Sequence, residues 1–148
     1  MAAGGWTQCH KELYNNPLND SQVEEIKKKC FGKRTFMACQ RVGSDHLTLA
    51  AWGKQSTVFT SVTEEKLKCH PCKVKIEGGT KWYRTLGAWG FIAANSSYLY
   101  IRHCDFDIME DGTRMCWFCN KHIGGYRCGA NHRLNKSNVW ERVIFHAN

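Results

Sequence analysis

The sequence predicts a mainly β domain, a sandwich or barrel of short antiparallel strands with one N-terminal helix, cross-linked by disulfides. Three observations predict it. Short runs rich in β-branched and aromatic residues recur at intervals of roughly ten residues, the rhythm of small all-β folds. One stretch near the N-terminus carries a helical period instead. Nine cysteines occur among 148 residues, in a chain long enough to fold without staples, so they point to an oxidising compartment or to a metal. The length fits one domain over residues 1–148. No linker, low-complexity tract or internal repeat divides it.

The helix is expected over residues 19–30, NDSQVEEIKKKC. Ser21 and Glu24 have the spacing of a capping box. Glu24 and Glu25 precede Lys27, Lys28 and Lys29, the charge order that complements the helix dipole. Val23, Ile26 and Cys30 give one narrow apolar face, and Gly32 suits the stop. Strands are expected over residues 35–42, 46–52, 56–62, 72–78, 81–86, 89–94, 97–104, 114–119 and 138–146. Gly78-Gly79 reads as a hairpin turn between two of them, and Gly124-Gly125 as a second turn.

The cysteines are Cys9, Cys30, Cys39, Cys69, Cys72, Cys104, Cys116, Cys119 and Cys128. An odd count leaves one thiol free or bonded to another chain, so a disulfide-linked dimer is one expectation. Connectivity is not readable from spacing. Cys69-His70-Pro71-Cys72 and Cys116-Trp117-Phe118-Cys119 are both C-x-x-C pairs, the ligand spacing of a tetrahedral zinc site. Cys116, Cys119, Cys128 and His132 make a further C-x-x-C…C-x-x-x-H pattern, with His122 nearby. Against zinc, Lys73 and Asn120 stand where zinc knuckles carry glycine, and Cys116 and Cys119 on one strand face opposite ways. Structural disulfides are the preferred reading and no metal is assigned. Zinc on Cys69, Cys72, Cys116 and Cys119 is the alternative, and redox chemistry at a C-x-x-C pair is the third.

The segments GGWTQCHKELY, FMACQRVGSDHLTLAAWG and CWFCNKHIGGYRCGANHRLNKSNVWERVIFHA cover both ends of the chain. With their G-W-x-x-C start and G-G-Y-R-C-G and W-E-R-V-I ending, they resemble a cysteine-containing domain of secreted, often multidomain, proteins of bacteria and some marine animals. The resemblance implies secretion and disulfides and nominates no catalytic residue. On its pattern Cys9, Cys30, Cys39, Cys104, Cys116 and Cys128 belong to the shared set. Cys69, Cys72 and Cys119 are additions, with Cys69–Cys72 paired and Cys119 free, or Cys119 bridged to one of them. An extracellular location is therefore expected. Met1-Ala2-Ala3-Gly4-Gly5 carries no secretory signal, so that reading takes the signal as already removed. Triplets beginning at Asn19, Asn95 and Asn135 are N-glycosylation acceptors, compatible with a glycoprotein.

The net charge of +8 favours acidic partners such as sulfated glycans, anionic surfaces or nucleic acid. No apolar run is long enough to span a membrane. Lys27, Lys28, Lys29, Lys33 and Arg34 form the densest basic cluster. Tyr126, Arg127, His132, Arg133 and Trp140 form, with Lys136 and Arg142, a second basic group interleaved with aromatics, and are the nominated ligand-binding residues. For Trp140 core packing is the competing account. Trp82, Tyr83, Trp89, Tyr98 and Tyr100 make a central aromatic set, read as sheet packing rather than as a platform. Asp105, Asp107, Glu110 and Asp111 match no EF-hand spacing and read as a polar turn.

No catalytic motif and no cofactor-binding motif occurs. The first expectation is a secreted, disulfide-stabilised module that binds a glycan or another acidic surface ligand. The second is an intracellular, zinc-stabilised module that binds nucleic acid. The third is a small secreted enzyme or cofactor-binding protein with a cavity lined by histidine and aromatic residues.

Overall fold

The computed structural model describes residues 5–60, 75–77, 79–84, 87–96, 104, 112–120 and 123–148. They form nine strands and two helices. In chain order these are β1 (Thr7–Leu13), α1 (Asp20–Lys29), β2 (Arg34–Arg41), β3 (Leu49–Lys54), α2 (Gln55–Phe59), β4 (Lys75–Glu77), β5 (Thr80–Arg84), β6 (Ala88–Ala93), β7 (Met115–Asn120), β8 (Ile123–Cys128) and β9 (Trp140–Ala147). The protein is mainly β, as expected. The strands form two separate antiparallel sheets, so the barrel alternative does not hold: a four-stranded sheet in the order β1-β9-β2-β3 and a five-stranded sheet in the order β4-β5-β6-β7-β8.

Local chemistry accounts for most elements. Asn19 caps α1, with its side chain accepting from the Gln22 N–H while the Gln22 side chain accepts from the Asn19 N–H, both at 2.8 Å. The reciprocal cap therefore lies two residues before the expected Ser21/Glu24 box. Asp20 begins the helix and three lysines end it, in the order the dipole favours. Val23 and Ile26 are its buried residues, and Cys30 follows as C-cap with no exposed surface. The Gly79 hairpin forms as read, with Glu77 opposite Thr80 and Gly79 at positive φ.

Period-two alternation sorts each sheet into an inner and an outer face. Met37, Cys39, Trp140 and Ile144 of the first sheet share one buried cluster with Trp82, Trp89, Phe91, Met115, Trp117 and Cys119 of the second. Val23 and Ile26 of α1 and Val58 and Phe59 of α2 complete it. The intervening residues Tyr83, Ala88, Ile92, Cys116, Phe118 and Tyr126 pack together on the other face of the second sheet. Trp82, Tyr83 and Trp89 are thus packing residues, as read. Tyr98 and Tyr100 lie outside the described residues, as do the Asp105–Asp111 cluster and the strand expected over 97–104, except for Cys104.

Two expectations are overturned by tertiary contacts. The run beginning at Ser56 has strand composition, yet Gln55–Phe59 is helical. That helical turn buries Val58 and Phe59 side by side, and their carbonyls accept hydrogen bonds from Trp89 Nε1 and Arg84 Nη1, each at 2.9 Å. Packing and backbone satisfaction outweigh β-propensity here. Gly124-Gly125 lies inside β8 rather than at a turn. The ring of buried Tyr14 presses on Gly125, where a Cβ would stand 2.2 Å from it. Tyr14 Oη donates to the Arg127 carbonyl at 3.1 Å and accepts from Trp117 Nε1 at 3.0 Å. Burial, outweighing the Trp117 hydrogen bond and the Arg142 cation, raises its phenol above the usual range.

Among the described residues three disulfides brace the structure: Cys9–Cys30, Cys39–Cys128 and Cys104–Cys116. The first ties β1 to the C-cap of α1. The second ties β2 of one sheet to β8 of the other. The third ties Cys104 to the outer face of β7.

Candidate functional site

Among the described residues two surface depressions with polar chemistry stand out, and neither lies where the sequence placed the ligand. The nominated set does not assemble. Arg127 has no exposed surface, Tyr126 packs edge-on against Phe118, and Trp140 belongs to the inter-sheet cluster. Strand alternation sends Tyr126 and Trp140 into two separate clusters. Arg133 is exposed and His132 half-buried, and the two stand without an aromatic platform from that set.

The four-sulfur zinc set does not assemble either. Cys116 is bonded to Cys104, and Cys119 faces the inter-sheet cluster on the opposite side of β7. Cys128 is bonded to Cys39, which removes the second pattern as well. Cys69, Cys72 and His122 lie outside the described residues. Cys119 is a free, buried thiol whose pKa burial pushes up to about 12. A protonated and enclosed sulfur is a poor nucleophile and a poor partner for a second chain.

The first depression is an open groove of about 660 Å³ lined by Phe31, Gly32, Lys33, Arg34, Lys54, Gln55, Ser56 and Asn148. Three of these side chains are cationic and none is acidic. Gly32 makes the groove: a Cβ there would stand 2.6 Å from the Ala147 carbonyl, so only glycine lets the segment run against the end of β9. The Gly32 N–H donates to His146 Nδ1 at 3.0 Å, and the Gln55 N–H donates to the Lys33 carbonyl at 2.8 Å. Phe31, pushed outward, is 75% exposed. On the outer face of the first sheet, Phe145, Phe36 and Trp52 lie in register across β9, β2 and β3. Trp6 packs on Phe36 and Trp52, and the Arg34 guanidinium lies 5.0 Å from the Trp6 ring and 5.9 Å from that of Trp52. Trp52 is 50% exposed. The basic-cluster reading had reached Lys33 and Arg34. Trp52, Lys54 and Phe31 were missed because they meet those residues through strand register and a turn.

The second depression, about 350 Å³, lies between α1 and the β1–β9 pair. His10, Glu12, Glu25, Lys29 and Arg142 supply its titratable side chains, and Asn16 and Gln22 its amides. Burial, with the Arg142 and Lys29 cations, pushes the His10 imidazole down to about 3. Burial also lowers the Arg142 guanidinium to about 10, against the opposing pull of Tyr14, Glu12 and Cys119. The lining holds no serine, threonine, cysteine or aromatic residue, so it is not the histidine and aromatic cavity expected of a small enzyme.

The His10 ring makes stability depend on pH with a definite sign. Between about pH 3 and 6.5, the unfolded chain takes up a proton at His10 that the native protein does not. Stability therefore falls as pH drops through that window, by at most about 1.4 kcal/mol per pH unit from this group. Urea unfolding of the wild type and of His10→Gln between pH 4 and 7 should show a shallower loss in the variant. Parallel curves would mean that the ring is not held neutral.

No protein-family model, curated protein or solved structure matches the chain. The fold and the groove define a class directly: a disulfide-braced, two-sheet β protein with a cationic and aromatic surface groove. No helix among the described residues is long and apolar enough to cross a membrane.

Proposed function

We propose that the protein is an extracellular β-sandwich module that binds an acidic glycan, carrying sulfate or uronate groups, in the Phe31–Arg34 groove. The observation that carries this reading is the joint placement of Lys33, Arg34 and Lys54 with exposed Phe31 in the groove, and of half-exposed Trp52 beside it under the Arg34 guanidinium. Sulfates and carboxylates pair with the cations, Arg34 by the part of its planar fork that does not donate to the Asn148 carbonyl, the guanidinium being oriented by that bond and by two indoles. The exposed indole face of Trp52 offers a stacking surface to the apolar side of a sugar ring. The three disulfides agree with an oxidising compartment, and the net charge of +8 steers polyanions toward the surface.

The test is the affinity of a heparin oligosaccharide, followed by Trp fluorescence in buffer of physiological ionic strength. Each cation facing a polyanionic surface contributes about 1 kcal/mol. Lys33→Ala with Lys54→Ala should therefore weaken binding roughly thirtyfold, by the same arithmetic. Lys28→Ala with Lys136→Ala, at exposed positions outside the groove, should change it little. Equal losses in the two variants, or no binding to heparin even at low salt, would overturn the reading. Tighter binding to a single-stranded oligonucleotide than to heparin would replace the glycan with nucleic acid.

A further inference from the structure

We infer that the depression between α1 and the β1–β9 pair is a second binding site, for the head group of a small zwitterion of the α-amino-acid class. Two of the buried arginines, Arg84 and Arg142, differ in whether they have an ion pair. Arg84 is ion-paired with Asp20 and Glu24 at 2.7 and 2.8 Å and donates to the Phe59 carbonyl, although its Nε, like that of Arg142, is buried without a hydrogen bond. Arg142, only 1% exposed, donates through Nη1 to the Asn16 carbonyl at 3.1 Å and has no ion pair among the described residues. Its Nε atom and the Nε2 atom of His10 are buried with no hydrogen-bond partner among the described residues. Both residues line the depression. A guanidinium left with spare donors in a recessed site is a receptor for a carboxylate.

Glu12 supplies the complementary half. It stands directly opposite Arg142 in the β1–β9 register, a placement that brings Cβ atoms within about 5.5 Å. The two do not pair: the Glu12 carboxylate instead accepts from the Asn16 side chain. A cation and an anion are thus held side by side and apart. An amino-acid head group presents the matching pair, an ammonium and a carboxylate on one carbon. The remaining lining repeats the balance, with Lys29 and Glu25 on the facing side of α1 and neutral Gln22 between Pro17 and Ile26. A polyanion meets two carboxylates here, which separates this site from the groove. The Cys9–Cys30 bond holds β1 against the end of α1, so the two walls are fixed.

The test uses three probes: L-alanine, N-acetyl-L-alanine, which keeps only the anion, and L-alaninamide, which keeps only the cation. The readout is the ring resonances of His10 in heteronuclear NMR, on the disulfide-intact chain. L-alanine should shift them saturably, with each blocked probe weaker by about tenfold or more. Glu12→Gln, at an exposed position, should keep the fold and cut the preference for L-alanine over N-acetyl-L-alanine. Arg142→Lys should weaken both carboxylate probes. Failure of all three probes to move His10 overturns the inference, as does an equal response to all three or an unchanged preference in Glu12→Gln. The heparin result bears on the other site and neither supports nor overturns this one, since no residue is shared between them.

Discussion

Replacing Cys39 and Cys128 together by alanine is expected to destabilise the protein by about 4–5 kcal/mol, the largest loss among the three disulfides. The bond closes a sequence separation of 89 residues, against 21 for Cys9–Cys30 and 12 for Cys104–Cys116. A cross-link restricts the unfolded chain more as its loop lengthens, and the same relation gives about 3 kcal/mol for each of the shorter loops. Place in the fold adds to length. Cys39 and Cys128 are both fully buried and join β2 of one sheet to β8 of the other within the shared core. Thermal unfolding of the three double-alanine variants measures the ranking, with a fall of roughly 10–20 °C expected for the inter-sheet bond. A smaller loss than that of the Cys104/Cys116 variant would show that packing, not the bond, sets the association of the sheets.

Arg84→Met is expected to cost about 3 kcal/mol and to loosen α1 selectively. Arg84, at the end of β5, is 1% exposed and reaches three acceptors: Asp20 and Glu24 on the first turns of α1 and the Phe59 carbonyl at the end of α2. Burial alone would lower its pKa, but the hydrogen bonds and charges of the two carboxylates outweigh that and raise it. Truncating one partner of a buried pair usually costs more than this. Here Asp20 and Glu24 are about half exposed and regain water, so the loss is moderated. The Phe59 carbonyl loses its donor, and α1 loses the clamp at its N-terminal end, keeping Cys9–Cys30 at the other. Amide exchange should rise across residues 20–26 more than across β9. A double-mutant cycle with Glu24→Gln should return a coupling of about 1–3 kcal/mol. Additive effects would mean that the contact is incidental.

Elements whose pattern is local were legible. The dipole order and narrow apolar face of α1, the Gly79 hairpin, and strands β2, β5, β6, β7 and β9 follow from side-chain period and turn chemistry, which act within a few residues. Strand β1 was not legible. Its sequence TQCHKEL has no buried face, and all seven residues are exposed or half-buried. It is an edge strand whose only claim to the conformation is pairing with β9, more than a hundred residues away. Helix α2 escaped for the converse reason. Its composition favours a strand, while the donors that satisfy its carbonyls, Trp89 and Arg84, come from β6 and β5.

The candidate sites divide along the same line. Charge and basic clustering pointed to acidic partners and to Lys33 and Arg34, because net charge sums over the chain whatever its shape. A family resemblance singled out six cysteines, and these are the six that the three disulfides use. Which cysteine meets which, the burial of Tyr126, Arg127 and Trp140, and the meeting of Trp6, Trp52 and Lys54 with Arg34 were decided by the tertiary structure. So was the unpaired neighbourhood of Arg142 and Glu12. The sequence by itself determined composition, charge and local periodicity, and through them a mainly β, cross-linked, cationic protein. Only the tertiary structure decided which face of each strand meets the core and which distant residues share a surface. Strand register sets both, and register is fixed by burial across the whole sheet rather than by any residue's neighbours in the chain.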